Sequence, residues 1–165
     1  MGATPAVITV GGTIDQHLTV CVPGTVDPNG QISVNPTTAG GEPTNGYDIQ
    51  WYFGSGTSNT LDAADLTDGD ALAGTSATGV NTATGLTVTG LEAGTYTVQV
   101  TNVDTQCDQT QEFTIDDNAT NPTFAAPLTD VTAVDMTDCD GGLNYPNGGI
   151  SIDLSAITGT APYTV

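Results

Sequence analysis

Apolar and polar residues alternate along several short runs of this 165-residue chain, which is the two-residue period of a half-buried strand. Tyr47-Asp48-Ile49-Gln50-Trp51-Tyr52-Phe53 places Tyr47, Ile49, Trp51 and Phe53 on one face, the strongest core candidates in the sequence. Thr95-Tyr96-Thr97-Val98-Gln99-Val100 alternates cleanly. Gln31-Ile32-Ser33-Val34 puts Ile32 and Val34 on one side, just after the turn dipeptide Asn29-Gly30. Further strands are predicted at Val7 to Val10, Leu18 to Cys21, Gly85 to Gly90 and Gln111 to Ile115. Between Gly54 and Thr84 the pattern weakens into a Thr-, Ser-, Gly-, Ala- and Asp-rich stretch. Short strands are expected there near Leu61 to Leu66 and Gly79 to Thr82, among long loops. No run of helix formers of useful length exists, so the predicted class is all-β.

Composition supports that class and narrows the function. Thr and Val suit pleated surfaces, while the abundant Gly, Asn, Asp and Pro punctuate turns. A hydrophobic share of 37% with 5% aromatics fills the thin core of a small sandwich, not one enzyme-sized core. The chain has no Lys or Arg against 19 Asp plus Glu, a net charge of −19. It therefore forms no Lys or Arg salt bridge and has no guanidinium to clamp phosphate. Nucleic acid and anionic lipid are repelled. Self-repulsion on this scale opposes compaction unless salt or divalent cations screen it. Trypsin finds no cleavage site. No apolar run approaches the roughly 20 residues of a membrane span, and no signal peptide follows Met1, so membrane insertion is not expected.

An internal repeat organises the chain. Cys21, Gly24, Pro28, Asn29, Gly30, Ile32 and Ser33 recur as Cys139, Gly142, Pro146, Asn147, Gly148, Ile150 and Ser151, at one shift (139 − 21 = 118). The predicted organisation is a lead-in strand or end of a preceding repeat over 1–17 and a complete repeat over 18–117. A linker follows over 118–127, then the start of a second, truncated repeat over 128–165. The second copy stops inside the strand-like run Pro162-Tyr163-Thr164-Val165, which predicts a fragment of a longer chain.

Leu91-Glu92-Ala93-Gly94-Thr95-Tyr96-Thr97-Val98 resembles the tyrosine corner of immunoglobulin and fibronectin type III sandwiches, whose tyrosine hydroxyl bonds back to the backbone. Tyr96 takes that role here, with Gly94 allowing the turn and Trp51 in the core. The expected fold is tandem immunoglobulin-like antiparallel β-sandwich repeats. Cys21 and Cys107 are read as a disulfide within the full repeat, or as two separate thiols. Such a bridge closes 86 residues (107 − 21), worth about 4–5 kcal/mol in the chain-entropy account, and suits an oxidising exterior.

The ordered set Cys21, Asn29-Gly30-Gln31-Ile32-Ser33-Val34, Gly40-Gly41-Glu42-Pro43, Tyr47-Asp48-Ile49-Gln50-Trp51, Leu91 to Val100 and Cys107 resembles the SprB-type repeats of giant gliding-motility adhesins and related surface proteins of Bacteroidota. Gly159-Thr160-Ala161-Pro162-Tyr163-Thr164 is similar to that family's entry into its central strand. The resemblance implies type IX secretion, an extracellular place on the cell surface, and a structural or adhesive task. The long stretch from Gly54 to Thr84 and the absence of Lys and Arg depart from the family pattern.

Calcium is the one cofactor suggested. Asp62, Asp65, Asp68 and Asp70 gather carboxylates around a Gly turn, though without EF-hand spacing. Asp116, Asp117 and Asn118 form an acidic linker, and Asp135, Asp138 and Asp140 flank Cys139. Each also reads as a plain solvated turn. Catalysis has little support, since the single His17 stands without an apparent Ser or Cys partner in the sequence and no Lys or Arg exists. The expected role is a stalk or polymer module of a surface adhesin or filament, with neighbouring repeats or copies of the same protein as partners. The alternative is direct recognition of host, prey or surface glycans by the loops of 54–84, and a third is the carbohydrate-binding accessory domain of a hydrolase.

Overall fold

The computed structural model describes residues 7–21, 27–69, 71–81, 85–120, 131–134 and 149–152. The chain forms two compact units, Met1–Ala119 and Thr120–Val165. Among the described residues the structure is strands and turns, with one short 3₁₀ turn at Ala63–Asp65. No helix among them is long and apolar enough to cross a membrane.

The first unit is built from nine strands: β1 (Ile8–Thr9), β2 (Gly12–Gln16), β3 (Gly30–Val34), β4 (Thr37–Thr38), β5 (Tyr47–Phe53), β6 (Ser76–Val80), β7 (Leu86–Leu91), β8 (Gly94–Asn102) and β9 (Asp108–Ile115). Two sheets enclose the core. One has the order β2-β3-β7 and the other β6-β5-β8-β9, while β1 pairs only with β4. Every one of these pairings is antiparallel. The alternation read from the sequence explains the central strands. Tyr47, Ile49 and Trp51 of β5 point inward with Tyr96, Val98 and Val100 of β8, and Ile32, Val34, Val88 and Leu91 meet them from the facing sheet. The Trp51 ring lies 5.8 Å from that of Phe113 on β9, and Phe53 meets Tyr96 edge-on at 5.9 Å.

Two glycines are demanded by this packing. Gly12 lies directly beneath the Phe113 ring, where a Cβ would collide with it. Gly90 adopts φ +76° within β7, with the Ala71 backbone pressed against it, a left-handed conformation that only glycine takes without strain.

Several elements differ from the sequence reading. Leu18 to Cys21 is not a strand: Leu18 makes an isolated parallel bridge to Asp117. Leu61 to Leu66 holds the 3₁₀ turn instead of a strand, because Asp62 caps it. β2 lies in the stretch read as a lead-in and hydrogen-bonds along β3, with Gly12 opposite Val34. β6 begins three residues before the expected Gly79.

The second unit contains β10 (Val131–Val134) and β11 (Gly149–Ile152), an antiparallel pair in which Val134 faces Gly149. Subtracting the repeat shift places that pair on Gln16 and Gln31 (134 − 118 = 16; 149 − 118 = 31), which also face one another across β2 and β3, while the other three pairs fall one residue out of the β2–β3 register. Asp70, Cys139, Asp135, Asp138, Asp140 and the run at 162–165 lie outside the described residues.

The core makes sharp predictions for Trp51. Its indole N–H is buried without a hydrogen-bond partner, a desolvation cost of about 1–3 kcal/mol. In chemical denaturation, Trp51→Ala is expected to lose about 3–5 kcal/mol, and Trp51→Phe markedly less because the unpaired donor leaves with the indole. Equal losses would contradict this account.

Candidate functional site: the two poles of the sandwich

The strand directions give the first unit two chemically distinct ends. β1 and β2 run antiparallel to β4 and β3 from Ile8 opposite Thr38 to Gln16 opposite Gln31. β9 runs the same way, from Asp108 opposite Thr101 to Ile115 opposite Gly94. The chain therefore enters at the pole carrying Thr38, Tyr47 and Asn102. It leaves at the opposite pole, where Leu18 meets Asp117.

A buried polar knot fixes the entry pole. The Tyr47 hydroxyl lies 2.7 Å from the Thr38 hydroxyl and donates to the Glu42 carboxylate at 2.7 Å. The Asn102 amide donates to the same Thr38 oxygen at 3.4 Å, while its carbonyl oxygen receives the Asp104 and Thr105 backbone N–H groups. Burial, reinforced by the Glu42 carboxylate, pushes the Tyr47 phenol above its ordinary range. Nearby, the Asp104 carboxylate accepts from the Asn45 amide and the Thr44 backbone N–H, both at 2.5 Å. The Asn45 amide bond is the main reason its pKa is lowered. Val7 extends the knot, since its carbonyl accepts from the Ala39 N–H at 2.9 Å.

The exit pole is a ladder of backbone bonds. Leu18 N–H donates to the Asp116 carbonyl at 3.1 Å, and Asn118 N–H donates to the Leu18 carbonyl at 2.7 Å. The Asp116 N–H donates to His17 Nδ1 at 2.9 Å. A nitrogen that accepts that bond carries no proton of its own, so the 3.6 Å approach of the Asp116 carboxylate to the same atom is not an ion pair. Asn29 closes the pole by bonding Thr19 through both its oxygen and its amide.

These poles decide the cysteine question against the expected bridge. Cys107 sits half-buried at the entry pole, where its carbonyl receives the Asn102 N–H. Cys21 is exposed three residues past Leu18, at the exit pole. The eight residues of β9 separate the poles by about 25 Å at the usual rise per residue, whereas a disulfide needs Cα atoms within about 7 Å. Cys21 and Cys107 form no disulfide with one another.

The acidic candidates serve the loops that hold them. Asp62 accepts from the Ala64 N–H at 2.8 Å, and Asp65 accepts from the Asp62 N–H at 2.9 Å, a reciprocal capping box. The other Asp65 oxygen takes the Asn59 amide at 2.7 Å. Asp68 gives its N–H to Glu92 at 2.7 Å, and Asp117 accepts from the Ala119 N–H at 3.0 Å. Among the described residues no group of three His, Cys, Asp or Glu side chains comes together as a metal site. Tyr96 is fully buried and its hydroxyl donates to the Glu92 carbonyl at 3.0 Å; burial raises its pKa strongly. Gly94 beside it has ordinary backbone and room for a Cβ at normal contact distance, so the corner does not require glycine there.

One carboxylate cluster escaped the sequence reading. Asp15 on β2 receives the hydroxyls of Ser33 and Thr13 and the Gln31 amide, and the Ser33 bond above all holds its pKa below the ordinary value. The period-two spacing of Gln31 and Ser33 is the signal that would have placed them on one face. No family model, curated protein or solved structure matches the chain.

Two predictions follow from this geometry. Asp62→Ala should cost about 1 kcal/mol through the lost cap, and by the same amount with calcium or with chelator present; a loss seen only with calcium would show a metal site. Asp15 and Asp104 have lowered pKa values, so the stability they add is present above 3.8, the ordinary carboxylate value, and disappears as pH falls through their folded values. Acid titration of Asp104→Asn should therefore show a shallower loss of stability below pH 3.8 than the parent chain.

Proposed function

We propose that the chain is a structural segment of an extracellular surface protein, in which immunoglobulin-like sandwiches strung in series carry tension. The carrying observation is the placement of entry and exit at opposite poles, with the two terminal strands β2 and β9 running in the same direction. A pull on the chain ends runs along the strands. It loads the β2–β3 bonds together in shear instead of opening them one after another, and the exit ladder at Leu18 shares that load.

Three further features support this reading. Lettered in chain order as A (β2), B (β3), C (β5), C′ (β6), E (β7), F (β8) and G (β9), the sheets read A-B-E and C′-C-F-G. That is a seven-stranded immunoglobulin-like arrangement, with its fourth strand on the sheet of C, F and G. Tyr96 stands near the start of F and bonds upstream across the E–F corner, as a tyrosine corner does. The β10–β11 pair is antiparallel like β2–β3 and, at the 118-residue shift, matches it at Gln16 opposite Gln31 and lies one residue off along the rest, beyond the β2 irregularity between Ile14 and Gln16, which favours a second module of the same kind. The stalk reading, the surface location and the partners (neighbouring repeats or further copies) rest on this and on the family resemblance.

Single-molecule pulling tests the proposal. Stretched between residues 7 and 118, the first unit should unfold in one step that releases roughly 36 nm of chain. The force should be well above that needed when the same unit is pulled between residues 54 and 118, a pair that both lie toward the exit pole. Equal forces in the two directions, or a series of small steps, would overturn it.

A further inference from the structure

The outer face of the β6-β5-β8-β9 sheet carries a trough of about 220 Å³ lined by Asp48, Gln50, Ser76, Thr78, Gln99 and Thr101, with Ile49 and Ala77 between them along the strands. Cross-strand register builds it. Asp48 faces Thr101, and Gln50 faces Gln99 on one side and Ser76 on the other. The inward neighbours Ile49 and Val100 are buried, so the sheet's alternation fixes which residues face out.

The longer side chains are held in place before any ligand arrives. Gln99 accepts from the Tyr52 hydroxyl at 3.0 Å and donates to Asp108 at 3.0 Å. Gln50 donates to the Trp51 and Thr75 carbonyls at 3.0 and 3.2 Å. One Asp48 oxygen accepts from the Gly79 N–H at 3.1 Å. These bonds leave the second Asp48 oxygen and the Gln50 carbonyl as acceptors. Beside them, the hydroxyls of Ser76, Thr78 and Thr101 have no bond among the described residues, and each can both donate and accept. Side chains fixed in advance lose little entropy on binding.

We propose that this trough binds a neutral saccharide unit. Its rim offers a carboxylate, an amide oxygen and hydroxyls spaced across three strands, which matches the paired hydroxyls of a sugar ring. With 19 acidic residues and no Lys or Arg on the chain, an anionic sugar is disfavoured by charge. The volume is below the usual range for drug-sized ligands and suits a single sugar residue of a longer chain. A bound cation is a poorer fit, since one carboxylate does not supply the six to eight oxygens calcium takes.

The test is an NMR titration of the ¹⁵N-labelled chain with neutral gluco-, manno- and galacto-oligosaccharides and with a uronic acid oligomer, each to about 10 mM, where a millimolar site is well occupied. The expected result is shifts at residues 48–50, 76–78 and 99–101 with at least one neutral sugar, and none with the uronic acid oligomer. Thr101→Val should weaken that binding about five- to tenfold, the worth of one hydrogen bond, with an unchanged melting temperature showing that the fold is intact. Failure of every neutral sugar to shift these residues, or equal binding by the variant, would overturn the proposal. So would equal binding of the uronic acid oligomer. None of these outcomes touches the mechanical reading, which depends on the poles alone.

Discussion

The burial of a single layer of side chains between two thin sheets is the constraint on which everything else here depends. Trp51, Tyr47, Tyr96, Ile32, Val34, Val88, Leu91, Val98 and Val100 are all essentially inaccessible to water. They come from four strands of the first unit. The chain has no Lys or Arg to pair with its carboxylates and no bridge between Cys21 and Cys107. Apolar burial and neutral hydrogen bonds therefore carry the fold against a net charge of −19.

Neutral donors take over what Lys and Arg do in other proteins. Asp15 is met by two hydroxyls and an amide, Asp104 by an amide and a backbone N–H, Asp65 by an amide and a backbone N–H, and Asp108 by the Gln99 amide. Such bonds stabilise a carboxylate without neutralising it, so the surface stays uniformly negative. A surface of that kind repels other copies of itself sideways.

The central strands were legible in the sequence because one face of each is fully buried. The alternation of Tyr47, Ile49 and Trp51, and of Tyr96, Val98 and Val100, records that directly. β2 was not legible. It is an edge strand with Ile14 partly exposed, and its Gly12 is there to admit Phe113, a contact about 100 residues away in sequence. The turn at Ala63–Asp65 was misread through Leu61 and Leu66, although Asp62-Ala63-Ala64-Asp65 carried the spacing of a capping box. The cysteine pairing failed for a deeper reason. Which pole a residue occupies follows from strand direction and order, and neither can be read from cysteine count or loop length. The trough was also hidden, because it is assembled from three strands whose registers only the folded sheet sets.

The central claim is that the first unit stands alone as a two-sheet module, held by its core and not by a disulfide. The most direct measurement is thermal unfolding of residues 7–119 on their own, with and without a reducing agent. The account predicts one cooperative transition at the same temperature in both conditions, and at the same temperature as this unit shows within the full chain. A transition that broadens or collapses on reduction, or once residues 120–165 are removed, would contradict it.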